Sequence, residues 1–328
     1  MFFITMIMGS MITISSNSWM GMWIGLEINL LSIIPQLSVN DQTNSAEASI
    51  KYFVTQVIAS NIILMAIICM FYNNEQINNN FHLTTMIQSA LFIKMGASPF
   101  HAWLPEVMDG LSWINCLIMA TWQKIAPMVI LMSSIKQEMF IYMIIIMSSM
   151  VGSIIGFNQI SLRKIMAYSS INHIGWMIAA MMSDKSIWII YMSIYVIISI
   201  NVMVIFHITN LKTISQIPNM FNMNKISSLM FSMNFLSLGG LPPFLGFFPK
   251  WLTIQQLIFM NNYSLVLLLI LLTLIAMFFY CRLSLIPMTM LNQVNLTKIS
   301  KKVNFTIIFT NILSLTALVV ISLMPNPF

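Results

Sequence analysis

Charged residues are scarce in this sequence of 328 residues: they make up 7% of the chain, whereas hydrophobic residues make up 59%. A soluble domain has about 25% charged residues, so this chain lacks the polar surface that contact with water requires. Its apolar runs have roughly the 20 residues that a helix needs to cross a bilayer, whereas membrane β-barrel strands alternate over about 10. The composition therefore predicts an all-α protein that crosses a membrane several times.

Sequence patterns for bound cofactors are also lacking. The three cysteines, Cys69, Cys116 and Cys281, lie far apart in apolar stretches, which is typical of isolated buried thiols and not of a metal site. The sequence has no haem, zinc or iron–sulfur spacing and no glycine-rich nucleotide-binding loop. It also opens directly into an apolar segment, without the basic start of a cleavable signal peptide. We therefore expect redox cofactors and ATP to belong to a partner.

Apolar runs separated by polar residues predict about eleven transmembrane helices. Two of the runs, the fourth and the ninth, contain clusters of glycine and proline that interrupt a helix. The ninth run is also too long for one straight crossing. The predicted spans are 2–18, 20–38, 48–72, 83–105, 112–134, 139–157, 165–182, 187–209, 226–260, 264–288 and 303–324.

The two Gly/Pro clusters match each other without a gap. Seven positions of the first cluster recur 144 positions later, with four identities, two apolar or aromatic exchanges and one exchange of an acid for a base. Broken apolar segments at corresponding places in two halves of a membrane protein indicate a transport site. Because the second broken helix is five crossings after the first, the halves are predicted to form an inverted repeat. The matching residues are Gly96, Pro99, Phe100, Trp103, Leu104, Pro105 and Glu106 in the first cluster and Gly240, Pro243, Phe244, Phe247, Phe248, Pro249 and Lys250 in the second.

The basic residues of the predicted loops give the orientation. Loops on the side of the N-terminus hold seven Lys and Arg residues, and loops on the opposite side hold two. Short loops rich in Lys and Arg stay in the compartment of synthesis, so the N-terminus is predicted there and the C-terminus on the opposite side. The seven are Arg163, Lys164, Lys212, Lys225, Lys298, Lys301 and Lys302, and the two are Lys136 and Lys185.

Four ionisable residues lie well inside predicted spans: Glu27, Lys94, Lys124 and Lys250. A charged side chain at the centre of a spanning helix costs roughly 2.5–3.5 kcal/mol, which a purely structural helix has no reason to bear. Burial disfavours a charged lysine and a nearby carboxylate favours it, so a lysine in such a place can change protonation state near neutral pH. The four residues are therefore interpreted as a proton relay. The alternative for Glu27 and Lys94 is a structural ion pair.

The prolines of the two clusters predict where water enters. Pro99 and Pro243 have no backbone N–H to donate. The carbonyl groups one turn earlier are therefore left without their helical hydrogen-bond partner. Irregular backbone at membrane depth is tolerated only where protein or water satisfies it, so we expect water beside Lys94 and Lys250. A simple kink is the alternative for either proline taken alone. Trp103, inside the first cluster, is interpreted as an interface or packing residue.

The histidines and one further lysine each allow two interpretations. His173 has neighbouring hydroxyl and amide side chains that can hold water, so it either joins the relay or is a hydrogen-bonded structural residue. His101, in the first cluster, and His207, near a helix end, have the same structural alternative, and His82 is expected in a loop in contact with water. Lys51, near the start of a span, either lies within the membrane or extends to its interface.

Six segments of the chain together resemble the antiporter-like membrane subunits of mitochondrial NADH:ubiquinone oxidoreductase, respiratory complex I. The likeness covers nearly the whole chain, has an insect-like character and is specific because several motifs occur in order. Members of that family have two inverted five-helix repeats, each with a broken helix, and animal versions lack three N-terminal helices of bacterial relatives. The segments are 25–29, 47–53, 94–105, 122–127, 161–176 and 234–251.

The resemblance implies one antiporter-like domain over 1–328. Its first repeat would cover about 2–134, its second about 139–288, and a C-terminal helix about 303–324. The chain would lie in the mitochondrial inner membrane, with its N-terminus towards the matrix and its C-terminus towards the intermembrane space. It would contact other membrane-arm subunits and lipid, and no nucleic acid. NADH, FMN, iron–sulfur clusters and ubiquinone would be bound by partner subunits, with no cofactor or metal in this chain.

The resemblance also implies a role for each buried charge. Glu27 matches the acid that modulates the neighbouring lysine, and Lys94 matches the lysine of the first broken helix. Lys124 matches the central lysine between the half-channels, and Lys250 the lysine of the second broken helix. The two halves do not share a charge position, because Lys250 stands opposite Glu106 in the repeat, so their roles are not equated.

Three functions follow as alternatives. The first is a subunit of complex I that takes part in proton translocation, coupled to electron transfer elsewhere in the complex. The second is a self-sufficient cation/proton antiporter on the same scaffold. The sequence argues against it, because there is no second buried acid near Glu27 to hold a metal cation. The third is a structural spacer, which leaves the insertion cost of four buried charges unexplained. The sequence favours the first.

Overall fold

The computed structural model describes residues 1–38, 43–72, 81–134, 138–220 and 225–289. This part of the chain is helical, apart from an isolated β-bridge between Ser161 and Thr213. A 3-10 helix covers Ile214–Met220. The α-helices are α1 Phe2–Ser15, α2 Trp19–Leu37, α3 Thr43–Tyr72, α4 Phe81–Met95, α5 Trp103–Gly110, α6 Trp113–Ala120, α7 Trp122–Ser134, α8 Glu138–Phe157, α9 Leu162–Ser183, α10 Lys185–Thr209, α11 Lys225–Gly239, α12 Phe247–Phe259 and α13 Tyr263–Thr289.

The described residues contain six helical stretches long and apolar enough to cross a membrane, and they coincide with six predicted spans. α1 is a shorter apolar helix at the first predicted span, and α9 occupies the seventh. The fourth and ninth predicted spans are each divided at the Gly/Pro cluster, the fourth into α4 and α5 and the ninth into α11 and α12. The eleventh predicted span, 303–324, lies outside the described residues. The six stretches are Trp19–Leu37, Thr43–Tyr72, Trp113–Ser134, Met139–Phe157, Lys185–Thr209 and Tyr263–Ile286.

The fifth predicted span, 112–134, is not the continuous helix that the sequence suggested. It divides into α6 and α7 at Thr121, which has φ −114° and ψ −72°. Pro127 has no N–H to give to the carbonyl of residue 123, one turn earlier, and its ring crowds that carbonyl. The first turn of α7 is thereby weakened, and Lys124 lies in it.

Exposed side chains on the long apolar helices are themselves apolar. On α13, Leu267, Leu271, Leu274 and Phe278 are all more than a third exposed, and their spacing places them on one helix face. A helix at the surface of a soluble protein would present polar residues there. The exposed apolar face is the surface expected of a helix in contact with lipid.

The chain forms two compact units, Met1–Ser148 and Ser149–Phe328. In the first unit α1 and α2 cross at very short range. A Cβ added to Gly9 would lie 2.9 Å from the backbone nitrogen of Asn29, and one added to Gly25 would lie 2.8 Å from the backbone nitrogen of Thr13. Small residues allow such close contact between transmembrane helices. α2, which carries Glu27, is therefore held directly against the backbone of α1.

In the second unit α9 is the most deeply enclosed helix. Every residue from Ser169 to Met181 is buried, and α9 packs against α10 and α12. α8 also approaches it closely, since a Cβ on Gly152 would lie 2.7 Å from the backbone nitrogen of Asn172. α9 thus contributes both apolar and polar side chains to the interior of this unit.

Candidate functional site

The three lysines predicted inside spans are all buried. Lys94 is 6% exposed, Lys124 is 1% exposed and Lys250 is 7% exposed, whereas Glu27 is half-buried. Glu27, Lys94 and Lys124 belong to the first unit and Lys250 to the second. The first unit therefore brings three of the four predicted residues together in one compact body.

The first helix break ends α4 in a defined backbone turn. Gly96 has φ +74°, a left-handed conformation that a residue with a Cβ rarely adopts. Its N–H donates to the Ile93 carbonyl at 3.1 Å, and the N–H of Ala97 donates to the Phe92 carbonyl at 3.0 Å. This pair of bonds is the Schellman motif, which satisfies carbonyl groups left free at a helix end. The break is an ordered structure that places Lys94 in the last turn of α4.

The second helix break repeats this turn at the end of α11. Gly240 has φ +81° and donates to the Ser237 carbonyl at 3.0 Å, while Leu241 donates to the Leu236 carbonyl at 3.3 Å. Both bonds lie 144 positions after their counterparts in the first break. The peptide bonds before Pro99 and Pro243 are cis in both breaks.

Lys94 borders a small polar cavity in the first unit. The space open to the centre of a water-sized sphere is about 10 Å³, which is near the minimum that one water molecule needs. Amide, phenol and ammonium groups in its lining can each hydrogen-bond such a molecule. The lining residues are Leu26, Asn29, Leu30, Tyr52, Gln56, Lys94, Gln123 and Pro127.

A buried amide pair connects α2 to α7 at this cavity. Asn29 Nδ2 donates to Gln123 Oε1 and Gln123 Nε2 donates to Asn29 Oδ1, both at 3.1 Å. The Tyr52 hydroxyl donates to the same Gln123 oxygen at 3.4 Å, and Gln56 Nε2 donates to the backbone carbonyl of Lys94 at 3.4 Å. Buried polar groups linked in this way fix the relative positions of the helices that carry them. Gln123 directly precedes Lys124, so the network joins the surroundings of both lysines.

The relation between Glu27 and Lys94 is electrostatic. The Glu27 carboxylate is near enough to attract the Lys94 ammonium, without a direct salt bridge between these two described residues. An attraction over this distance changes with small shifts of α2 or with water in between, since the dielectric response of the intervening medium sets its strength.

Lys250 is held by backbone carbonyls in the second unit. Its Nζ donates to the carbonyl of Gly239 at 2.7 Å and to that of Leu238 at 3.3 Å. The same nitrogen lies 5.9 Å from the centroid of the Trp176 ring. Gly240 leaves the space for this arrangement, because a Cβ there would lie 2.9 Å from Nζ. Sequence reasoning did not find Trp176 or these carbonyls.

Lys51 lies in a partly exposed, ion-paired cluster near the start of α3, a position that is compatible with a membrane interface. Its Nζ lies 2.9 Å from Glu47 Oε1 and 2.9 Å from Glu106 Oε2. The Lys51 side chain is 42% exposed and that of Glu106 58% exposed. Because Glu106 is on α5, the cluster ties the first break to the start of α3.

His173 lies in the interior of the second unit, 5% exposed. Its Nδ1 is 3.0 Å from the Tyr191 hydroxyl, and its ring centroid is 5.1 Å from that of Tyr195. His101 Nδ1 is 3.2 Å from the Pro99 carbonyl within the first break, while His207 is exposed. These contacts suit both a structural and a proton-carrying histidine, so the two interpretations stay open for His173.

No role was predicted from the sequence for Asn29, Tyr52, Gln56 and Gln123, although all but Gln56 lie in segments that carry the family resemblance. A usable signal was nevertheless present, because Asn29, Gln56 and Gln123 lie inside predicted spans. Buried amides are costly there unless they are hydrogen-bonded. Their pairing across helices is a tertiary property that spacing along the chain does not give.

A family model described as NADH:quinone oxidoreductase/Mrp antiporter, transmembrane, matches residues 16–276. The chain is 48% identical over 287 residues to the NADH-ubiquinone oxidoreductase chain 2 of Anopheles gambiae, covering 86% of this chain and 84% of that protein. It is 42% identical over 321 residues to the protein of the same name from Locusta migratoria, covering 96% and 92%.

Among solved structures, the chain is similar to one in respiratory complex I from Thermus thermophilus with bound aureothin. The TM-score is 0.88 at 20% sequence identity, over 98% of this chain and 78% of that one. This likeness supports the fold, an antiporter-like membrane helical bundle. The family match and the insect relatives both extend over most of the sequence. The chain therefore belongs to the NADH:quinone oxidoreductase/Mrp antiporter transmembrane family and, within it, to the NADH-ubiquinone oxidoreductase chain 2 proteins.

Proposed function

We propose that this chain is a core membrane subunit of mitochondrial NADH:ubiquinone oxidoreductase and takes part in proton translocation across the inner membrane. Electron transfer from NADH to ubiquinone would occur in other subunits, which would bind NADH, FMN, the iron–sulfur clusters and ubiquinone. The observation that carries the proposal is the burial of three lysines in a member of this family, two of them at matching helix breaks. Burying a charged group in a spanning helix is costly, so such residues are functional-site candidates.

In this proposal the buried charges act in series. Redox energy released elsewhere changes the attraction between Glu27 and Lys94, and Lys94 then changes its affinity for a proton. Lys124 takes the proton on and Lys250 delivers it onward through water. The one-water cavity beside Lys94 and the amide network that ends next to Lys124 support the first transfer. His173 is a further candidate member.

The proposed architecture has about eleven spans in one domain, with inverted five-helix repeats at 2–134 and 139–288 and a last helix at 303–324. The matching Schellman turns of the two breaks support two repeats. The distribution of Lys and Arg in loops supports an N-terminus in the matrix and a C-terminus in the intermembrane space. Other membrane-arm subunits and lipid would surround the chain.

Replacement of Lys124 by Met in the assembled complex tests the relay. Proton translocation per NADH oxidised should fall below half of the wild-type value in inner-membrane vesicles, with the amount of assembled complex unchanged. The matched control is Lys185→Met, which removes the same charge from an exposed helix start and should have no effect. Wild-type coupling in the Lys124 variant would rule out the relay role and favour a structural spacer.

The second candidate is a self-sufficient cation/proton antiporter, which the family description makes reasonable because it includes Mrp antiporters. That function requires no partner subunit. The purified chain in liposomes would then exchange protons for sodium or potassium. Absence of such exchange from a folded, reconstituted chain would leave the complex I function as the better explanation.

A further inference from the structure

Lys250 is a buried cation with an unusual shortage of acids around it. In the sequence from 149 to 328 the only acidic side chain is Asp184, which is exposed at the start of α10. A buried charge is normally paired with an opposite charge or hydrogen-bonded throughout. Within its own unit, Lys250 must therefore be stabilised by something other than a carboxylate.

The C-terminal end of α11 supplies the first part of that stabilisation. The two carbonyl oxygens that Lys250 contacts, at 2.7 and 3.3 Å, belong to the last two residues of the helix. Carbonyl groups at a helix end lack intrahelical partners and carry the negative end of the helix dipole. Half-helix C-termini in the broken helices of transporters hold cations in the same way.

Trp176 supplies the second part. Its ring face lies within cation–π distance of Nζ, and the residue is 1% exposed. Attraction between a cation and an aromatic face is strongest where both are shielded from water. The indole nitrogen has no hydrogen-bond partner in the described part of the chain, so the ring face and not the N–H is the part of Trp176 in use.

Gly240 leaves the space in which Lys250 can contact both the α11 carbonyls and the Trp176 ring. The Lys250 side chain lies across the α carbon of this glycine, and an added Cβ would lie 2.8 Å from Cδ and 3.1 Å from Cε. In the first break, a Cβ on Gly96 would instead meet Leu104 and Trp103, both at 3.3 Å. Both glycines form a left-handed turn. A lysine side chain lies over the turn at Gly240, whereas Leu104 and Trp103 lie over the turn at Gly96.

We propose that the Leu238 and Gly239 carbonyls and the face of Trp176 form a cation-binding site for the Lys250 ammonium, with Trp176 and Gly240 as positioning residues. The role of Lys250 in proton transfer is taken from the proposed function, whereas the binding of its ammonium group is inferred from the contacts themselves. Because no carboxylate of the described residues pairs with Lys250, the lysine has no salt bridge to them that must break when it releases its proton.

Trp176 variants in the assembled complex test the ring. Trp176→Leu should lower the number of protons translocated per NADH oxidised at least twofold, whereas Trp176→Phe, which keeps an aromatic face, should retain the wild-type ratio. A purely structural tryptophan would instead change the amount of assembled complex and leave the ratio intact. Equal loss of coupling in both variants, or none in Trp176→Leu, overturns the proposal.

Glycine variants provide an independent test that does not change Trp176. Gly240→Ala and Gly96→Ala both put a Cβ on a left-handed residue, so the effect that they share measures backbone strain. The additional loss of coupling in Gly240→Ala, expected to be at least twofold, measures displacement of Lys250. Equal coupling in the two variants contradicts the proposed role of Gly240.

Lys250→Met separates this inference from the function on which it rests. If Lys250→Met keeps wild-type coupling, the relay role of Lys250 is wrong whatever the Trp176 variants do. If Lys250→Met loses coupling while Trp176→Leu and Gly240→Ala keep it, the relay stands and the cation site is wrong.

Discussion

At the first helix break, Trp103 donates its indole N–H to the Ile93 carbonyl at 3.0 Å, whereas at the second break the ammonium of Lys250 donates to the carbonyls of α11. The backbone turn is the same in both. The backbone carbonyl groups at the ends of two equivalent helices therefore accept hydrogen bonds from a neutral donor in one break and from a cation in the other. The turn itself does not determine where the charge is.

The position of the lysine relative to the turn explains this difference. Lys94 precedes its glycine by two residues, and Lys250 follows its glycine by ten. Lys94 consequently borders an amide-lined cavity and is attracted by Glu27, while Lys250 folds back over its own break. One scaffold thus holds two buried lysines by different means, and mutations should affect the two breaks differently.

The largest expected effect comes from Gly246→Ala, which should damage the second break alone. A Cβ at Gly246 would overlap the Ser237 carbonyl, whereas the equivalent residue of the first break is Ala102, which already has one. We expect most of the assembled complex to be lost, as measured by native electrophoresis. The control, Ala102→Gly, should cost only about 0.5–1 kcal/mol, the usual price of the added backbone freedom. Normal assembly of Gly246→Ala would contradict the close contact.

An intermediate effect is expected from Trp103→Phe. Loss of the indole N–H removes one of two donors to the Ile93 carbonyl, which keeps the Gly96 N–H, so the expected cost is that of one hydrogen bond, about 0.5–1.5 kcal/mol. Trp176→Phe loses no hydrogen bond within the described residues, but it leaves a larger void because Trp176 is fully buried and Trp103 is half-buried. Thermal unfolding of Trp103→Phe and wild type in the assembled complex therefore measures the bond, and an unchanged Tm would show that the hydrogen bond of Trp103 contributes little.

The smallest effect is expected from Lys51→Met, which removes the ion pairs of Lys51 with Glu47 and with Glu106, the residue equivalent to Lys250. These groups are partly exposed, and exposed ion pairs contribute little to stability because water screens them. Stability should fall only slightly, and the difference from wild type should shrink in high salt because the charges are screened further. A loss that is large and independent of salt would indicate that the cluster is buried in the assembled complex.

The sequence alone was sufficient to predict the helical membrane fold and both helix breaks. Those features depend on local properties, namely the length of apolar runs and the chemistry of glycine and proline at positions such as Gly96 and Gly240. The burial of Lys94, Lys124 and Lys250 also follows, because a residue in the middle of a long apolar run has few ways to reach water.

The partners of these residues could not be predicted in the same way. Asn29 and Gln123 are 94 positions apart, and Trp176 reaches Lys250 from a different helix. Such contacts depend on how helices rotate and cross, which an apolar sequence leaves open because many of its faces have similar hydrophobicity. The interruption at Thr121 was missed for a related reason, since Pro127 can bend a helix without ending it.

The complete burial of α9 from Ser169 to Met181 has a consequence for motion. A helix packed at crystal-like density on every side cannot rotate or slide without replacing all of its neighbours at once. Trp176 and His173 therefore lie on the helix of the second unit that has the least room to move. Displacements that accompany turnover are expected in its side chains, in water and in the helices around α9.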